Sequence, residues 1–181
     1  MDDNAFENFT HAVSAARLLL AQAHARDSLI EGLALYASLI DALLRNLVAL
    51  KTGEGRGATT YLDLRYFYHD DTMWMNERKV YAAAHSCGVL TDTELSELEE
   101  LFRFRNTVIH RFIISGITYA EIAPRLDQYE GIYERISEQL RVIEQPDGAD
   151  LNDEEVRRAR ERVARKLGAS SRDDEGPLGR A

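Results

Sequence analysis

The chain predicts an all-α protein, an up-and-down bundle of four to five helices followed by a short helical extension. Three observations predict it. Only three prolines, at 124, 146 and 177, interrupt the 181 residues. Between the breakers run long stretches rich in Ala, Leu, Glu and Arg, the residues that cost a helix least. No segment keeps the two-residue alternation of a strand.

The first helix is expected over Phe6 to Ala25, with Phe6, Phe9, Val13, Ala16, Leu20 and Ala23 along one side. Ser28 and Glu31 have capping-box spacing, so a second helix should start there and run through Leu33, Tyr36, Ile40, Leu43, Leu44, Leu47 and Leu50. The glycines from Gly53 to Gly57 end it. Residues 58–72, with Tyr61, Leu62, Leu64, Tyr66, Phe67 and Tyr68, read either as a short helix or as an ordered aromatic loop. A third helix is expected from Met75 to Cys87, closed by Gly88. Thr91 and Glu94 form a second capping box, opening a helix that ends near Gly116. The last helix of the bundle should open at Tyr119 or Ala120 and run to about Ile143. Pro124 is tolerable there only in the first turn. The bundle is therefore expected over 1–145. Residues 146–181 read as a linker, a charged helix from Asp153 to Leu167 and a disordered tail from Gly168.

Composition narrows the function. A net charge of −9 disfavours non-specific nucleic-acid binding, so any such contact must rest on a local basic site. A single cysteine, Cys87, excludes an internal disulfide and fits a reducing compartment. No apolar run is expected to reach the length of a membrane span, and the first residues lack a signal-peptide pattern. The reading is soluble and cytoplasmic. His69-Asp70-Asp71 and the scattered histidines 11, 24 and 85 lack metal-ligand spacing, so neither a metal nor a cofactor is expected. Cys87, beside Gly88, reads as a small buried residue.

The informative segment is Leu101-Phe-Arg-Phe-Arg-Asn-Thr-Val-Ile-His-Arg-Phe112. At 100° per residue, Leu98, Phe102, Ile109 and Phe112 form one stripe, and Arg105 projects from within it. Asn106 and His110 are four apart and stack along its flank. Burying a guanidinium among apolar side chains is costly without a partner, so the charge is either paired or used. If it is paired, Asp41 or Glu31 of the second helix is the expected acid. Arg103 and Arg111 lie on the opposite side of the helix, as a solvated face or as phosphate contacts. The aromatic group from Tyr61 to Trp74 reads as packing or as a base-stacking surface, and the 153–167 helix as a solvated or a partner-binding one.

Arg105-Asn106-x-x-x-His110, in a capped helix of an α-bundle, resembles the R-x4-6-H motif of the HEPN superfamily. The resemblance spans about residues 5–145 in helix order, and the central motif is its specific part. It implies a metal-independent endoribonuclease whose active site is shared across a homodimer, leaving 2′,3′-cyclic phosphate ends. In that reading His110 is the acid or base, Arg105 stabilises the phosphate and Asn106 positions; Arg103 and Arg111 contact RNA. The chemistry agrees: an imidazole titrates near neutral pH, and a guanidinium is a permanent, forked donor to oxyanions. A toxin or a defence or stress effector is implied, with a cognate antitoxin, of nucleotidyltransferase or other type, as a possible partner. HepT toxins of this superfamily continue the motif as His-x-Tyr, and the tyrosine is adenylylated. Here that position is Phe112, which has no hydroxyl to modify. Other members, such as the mannitol-operon repressor group, are non-catalytic regulators or helical interaction modules. A guanidinium locked inside one bundle by an acid, far from the imidazole and from any second copy, would end the nuclease argument.

Overall fold

The computed structural model describes residues 5–53 and 75–144. Five helices and no strand occur among them: α1 Ala5–Ala25, α2 Leu29–Gly53, α3 Glu77–Ser86, α4 Asp92–Ser115 and α5 Tyr119–Glu144. Segment 58–72, the aromatic group through Trp74, the His69-Asp70-Asp71 turn, the 153–167 helix and the tail all lie outside the described residues.

α2 is the core element. Leu33, Ala37, Ile40, Leu44 and Leu47 are fully buried along it, and α1, α3 and α4 all pack on it. Its Leu29–Thr52 stretch is long and apolar enough to cross a membrane by length and composition alone, which corrects the expectation that no run reaches that length. More than half of that stretch is buried inside the bundle, as a core helix requires. α1 folds back on α2 through Arg26–Ser28, where Asp27 takes a left-handed φ of 52°. The Ser28 capping box does not form: the Glu31 carboxylate turns to Arg26 Nη2 at 3.4 Å instead. α5 lies along α2 through side chains, with Tyr36 edge-on to Tyr133 at 5.6 Å and Leu126 against Gly32.

The helix ends follow local chemistry. Asn76 caps α3, its side chain accepting from the backbone N–H of Lys79. Gly88 beyond it sits at φ 76°, the left-handed value that an L side chain resists. The Thr91–Glu94 box is complete, and Gly116 closes α4 at φ 72°. Thr118 N and Oγ1 both donate to the Glu121 carboxylate, at 2.8 Å each, which is half of a capping box; the Glu121 N–H goes to the Thr118 carbonyl instead of its side chain. Pro124 therefore stands in the second turn of α5, not the first. It withholds one helical N–H from the carbonyl of Ala120, an exposed residue whose carbonyl water can satisfy.

The buried stripe of α4 differs from the expected one. Leu98, Leu101 and Val108 are buried, whereas Phe102 and Phe112 are half-buried and Ile109 is 43% exposed. The inward face is a heptad seam, and Arg105 occupies the seam position between Leu101 and Val108. Beyond Val108 the helix leaves the core. Arg111 has non-helical φ/ψ (−137°, 15°), and Ile113 and Ile114 are 96% and 82% exposed.

Leu101→Ala should cost about 2–5 kcal/mol in urea unfolding, the penalty of a cavity in a closed seam. Glu94 supplies a pH test. Burial pulls its carboxyl up, but donors from Thr91 and Arg135 outweigh this and hold it below the ordinary 4.5. A depressed carboxylate stabilises the fold above its unfolded pKa and ceases to as pH falls through the folded one. The stability advantage of wild type over Glu94→Gln should be full at neutral pH and vanish in acid.

Candidate functional site

Each part of the site is placed by a capped helix. The Asn76 cap puts Glu77 at the first position of α3, where the positive end of the helix favours a carboxylate. The Thr91 box sets the phase of α4 and so aims Arg105 inward. The two meet across the α3–α4 interface. Arg105 Nη2 lies 2.8 Å from Glu77 Oε2, Nη1 donates to Oε1 at 3.2 Å, and both side chains are only 16% exposed. The second partner of Nη2 is the side-chain oxygen of Asn106, at 2.9 Å. The Phe102 ring lies under the guanidinium, 5.0 Å from its centroid to Cζ. Tyr81 donates its hydroxyl to the same Glu77 oxygen as Nη1.

A second pair borders the first. Arg45 holds Asp41 within α2, with Nε to Oδ2 at 2.7 Å, and also donates to the Met75 carbonyl at 2.7 Å. Asp41 is thereby engaged, as Glu31 is by Arg26. The acid that neutralises Arg105 is therefore neither of those expected but Glu77, which the sequence reading did not single out. Burial pushes the Glu77 carboxyl above its ordinary value, and the donors Tyr81 and Arg105 offset part of that push. Tyr129 of α5 is fully buried, and its hydroxyl lacks a hydrogen-bond partner among the described residues.

His110 lies on the opposite kind of ground. It is exposed, one turn beyond Asn106 on α4, and makes no hydrogen bond or ion pair among the described residues. Its neighbours Ile109, Ile113, Ile114 and, across the turn, Tyr119 at 58% form an exposed apolar surface. Phe112 packs on Tyr119 with ring centroids 5.7 Å apart. The structure thus joins Arg105 to Asn106 directly, and leaves His110 on the same helix but outside their hydrogen-bonded group. The first half of the adverse condition is met: an acid of the same bundle holds the guanidinium. Arg103 and Arg111 are both exposed, and Arg103 reaches Glu99 at 3.8 Å. Cys87 is half-buried rather than buried, its thiol near the Ala84 carbonyl at 3.4 Å. Among the described residues no three His, Cys, Asp or Glu side chains gather as a metal site would need.

No family model, curated protein or solved structure matches this chain.

Arg105→Met alone should destabilise the fold by on the order of 3 kcal/mol, because it leaves the Glu77 carboxylate buried and unpaired. Removing both charges, in Glu77→Gln with Arg105→Met, should recover most of that loss in the same unfolding experiment.

Proposed function

We propose that this protein is a metal-independent endoribonuclease of HEPN type, acting as a homodimer in the cytoplasm, as a toxin or a defence or stress effector. The observation that carries the reading is the placement of His110. A solvent-reachable imidazole stands one turn from the Arg105–Asn106 pair and beside exposed isoleucines that a second copy would cover. Isoleucines 96% and 82% exposed cost free energy in water, and pairing two copies of α4 over them would bring two His110 side chains to one seam. One His110 then takes the proton of a ribose 2′-hydroxyl. The 2′-oxygen attacks phosphorus, the bond to the 5′-oxygen breaks, and His110 of the partner subunit protonates the leaving 5′-oxygen. The products are a 2′,3′-cyclic phosphate and a 5′-hydroxyl. Arg103 and Arg111 would meet the RNA backbone. Phe112, packed on Tyr119, offers no hydroxyl for adenylylation, so a cognate antitoxin would act by another route.

One observation favours a second reading, a non-catalytic helical regulator or adaptor. The guanidinium that a nuclease would present to phosphate is committed to Glu77 within a single bundle. In that reading Arg105 is a structural charge and His110 is dispensable.

Cleavage of a mixed RNA substrate in EDTA, with end-group analysis, separates the two. The nuclease reading expects cyclic phosphate ends from wild type and a loss of about 10²-fold or more in His110→Ala, with its fold unchanged by circular dichroism. A folded wild-type protein that cleaves no RNA, or a His110→Ala variant as active as wild type, leaves the non-catalytic reading standing.

A further inference from the structure

The resemblance gives Arg105 to the phosphate and leaves Asn106 to orient it. The hydrogen bonds run the other way. A guanidinium has five N–H donors. Arg105 donates from Nη1 to Glu77 and from Nη2 to Asn106, and Nη2 also lies 2.8 Å from the other Glu77 oxygen as an ion pair. The Glu77 carboxylate thus sits against both Nη groups, and Nη2 is shared with Asn106. With both Nη groups engaged, neither the Nη1/Nη2 edge nor the Nε/Nη2 edge is open to grip a phosphate with two bonds, the geometry in which arginine recognises oxyanions. One face is covered by Phe102, and the side chain is 84% withdrawn from solvent by its 16% exposure.

Asn106 has the complementary property. An arginine offers donors only, so the amide must turn its oxygen to Arg105 and its NH2 away. The NH2 group has no partner among the described residues, and Asn106 is partly exposed on the flank that carries His110 one turn further on. Glu77, gripped by Tyr81 and Arg105, fixes the guanidinium, and the guanidinium fixes the amide.

Resting on the nuclease reading, we propose that Glu77 and Arg105 are positioning residues, and that the group they position, the Asn106 side-chain NH2, is the donor to a non-bridging oxygen of the RNA phosphodiester. The positive charge of Arg105 is then spent within the protomer. It does not count among the cations that displace counterions from RNA.

Salt dependence reads this directly. Binding of a 2′-O-methyl oligoribonucleotide, which cannot be cleaved, is measured against potassium chloride concentration by fluorescence anisotropy. The proteins are wild type, Glu77→Gln/Arg105→Met and Asn106→Ala. The double variant removes both buried charges and so keeps a folded protein to compare. Losing a cation that neutralises a phosphate lowers the slope of log affinity against log salt by about one, whereas losing a neutral donor leaves the slope unchanged. The proposal expects the double variant to keep the wild-type slope and Asn106→Ala to bind more weakly at every salt concentration. A slope lower by about one per protomer in the double variant, or an Asn106→Ala variant that binds like wild type, overturns it. The Asn106 side-chain NH2 signals in an amide NMR spectrum, assigned by their loss in Asn106→Ala, report the positioning without RNA. They should shift between wild type and the double variant, and identical signals overturn the positioning. A wild-type protein that binds no oligonucleotide removes the nuclease reading and the phosphate ligand together, while the amide signals still decide what Arg105 holds.

Discussion

A single buried ion pair, Glu77 with Arg105, organises the face of the bundle that matters. It closes the interface between α3 and α4 at the one seam position where a hydrophobic residue would otherwise sit, between Leu101 and Val108. The cost of withdrawing both charges from water is offset by a two-point contact, by the Tyr81 hydroxyl and by the positive end of α3. It also pins the entry to α3, which Arg45 of α2 holds from the other side through the Met75 carbonyl. Two arginines from two helices thus anchor the same few residues.

The pair is also what separates the two chemistries of α4. Up to Val108 one face of the helix packs inward, and several of its charged side chains pair with α3 and α5. Beyond Val108 it faces solvent, with His110 and three isoleucines on view and an irregular backbone at Arg111. A helix that packs over half its length and exposes apolar residues over the rest suits association of that exposed end, and the titratable group lies at the boundary. Asn106 bridges the halves, with its oxygen to the buried charge and its nitrogen toward the exposed flank.

Much of the fold was legible because its signals are local. The Thr91–Glu94 box, Gly88 and Gly116 each fix a helix end within a few residues, and all three act as their spacing predicts. Three readings missed for identifiable reasons. Of the stripe Leu98, Phe102, Ile109 and Phe112 that helical phase gives, Leu98 is buried, but the packed seam runs on through Leu101 and Val108, a three-and-four spacing that leaves the other three at its edge or outside it. Ser28 had the spacing of a cap, but Arg26 competes for Glu31. The acids expected to pair Arg105, Asp41 and Glu31, each have an arginine within five residues in sequence. That proximity was readable and argued for a different acid. That the acid is Glu77 depends on how α3 meets α4, a tertiary relation with no local signal. In the site, the inward aim of Arg105 and the adjacency of Asn106 were legible from helical phase, while the direction of the amide was not, since it follows from the Arg105 side chain folding back onto its neighbour, where it can only donate.

A crystal structure of the full chain with a non-cleavable 2′-O-methyl oligoribonucleotide bound tests the account most directly. The account predicts a phosphate oxygen within hydrogen-bond distance of Asn106 Nδ2, His110 beside the same phosphodiester, and the Arg105 guanidinium still seated on Glu77. A guanidinium swung away from Glu77 and forked onto the phosphate, or an oligonucleotide bound on a surface remote from α4, would contradict it.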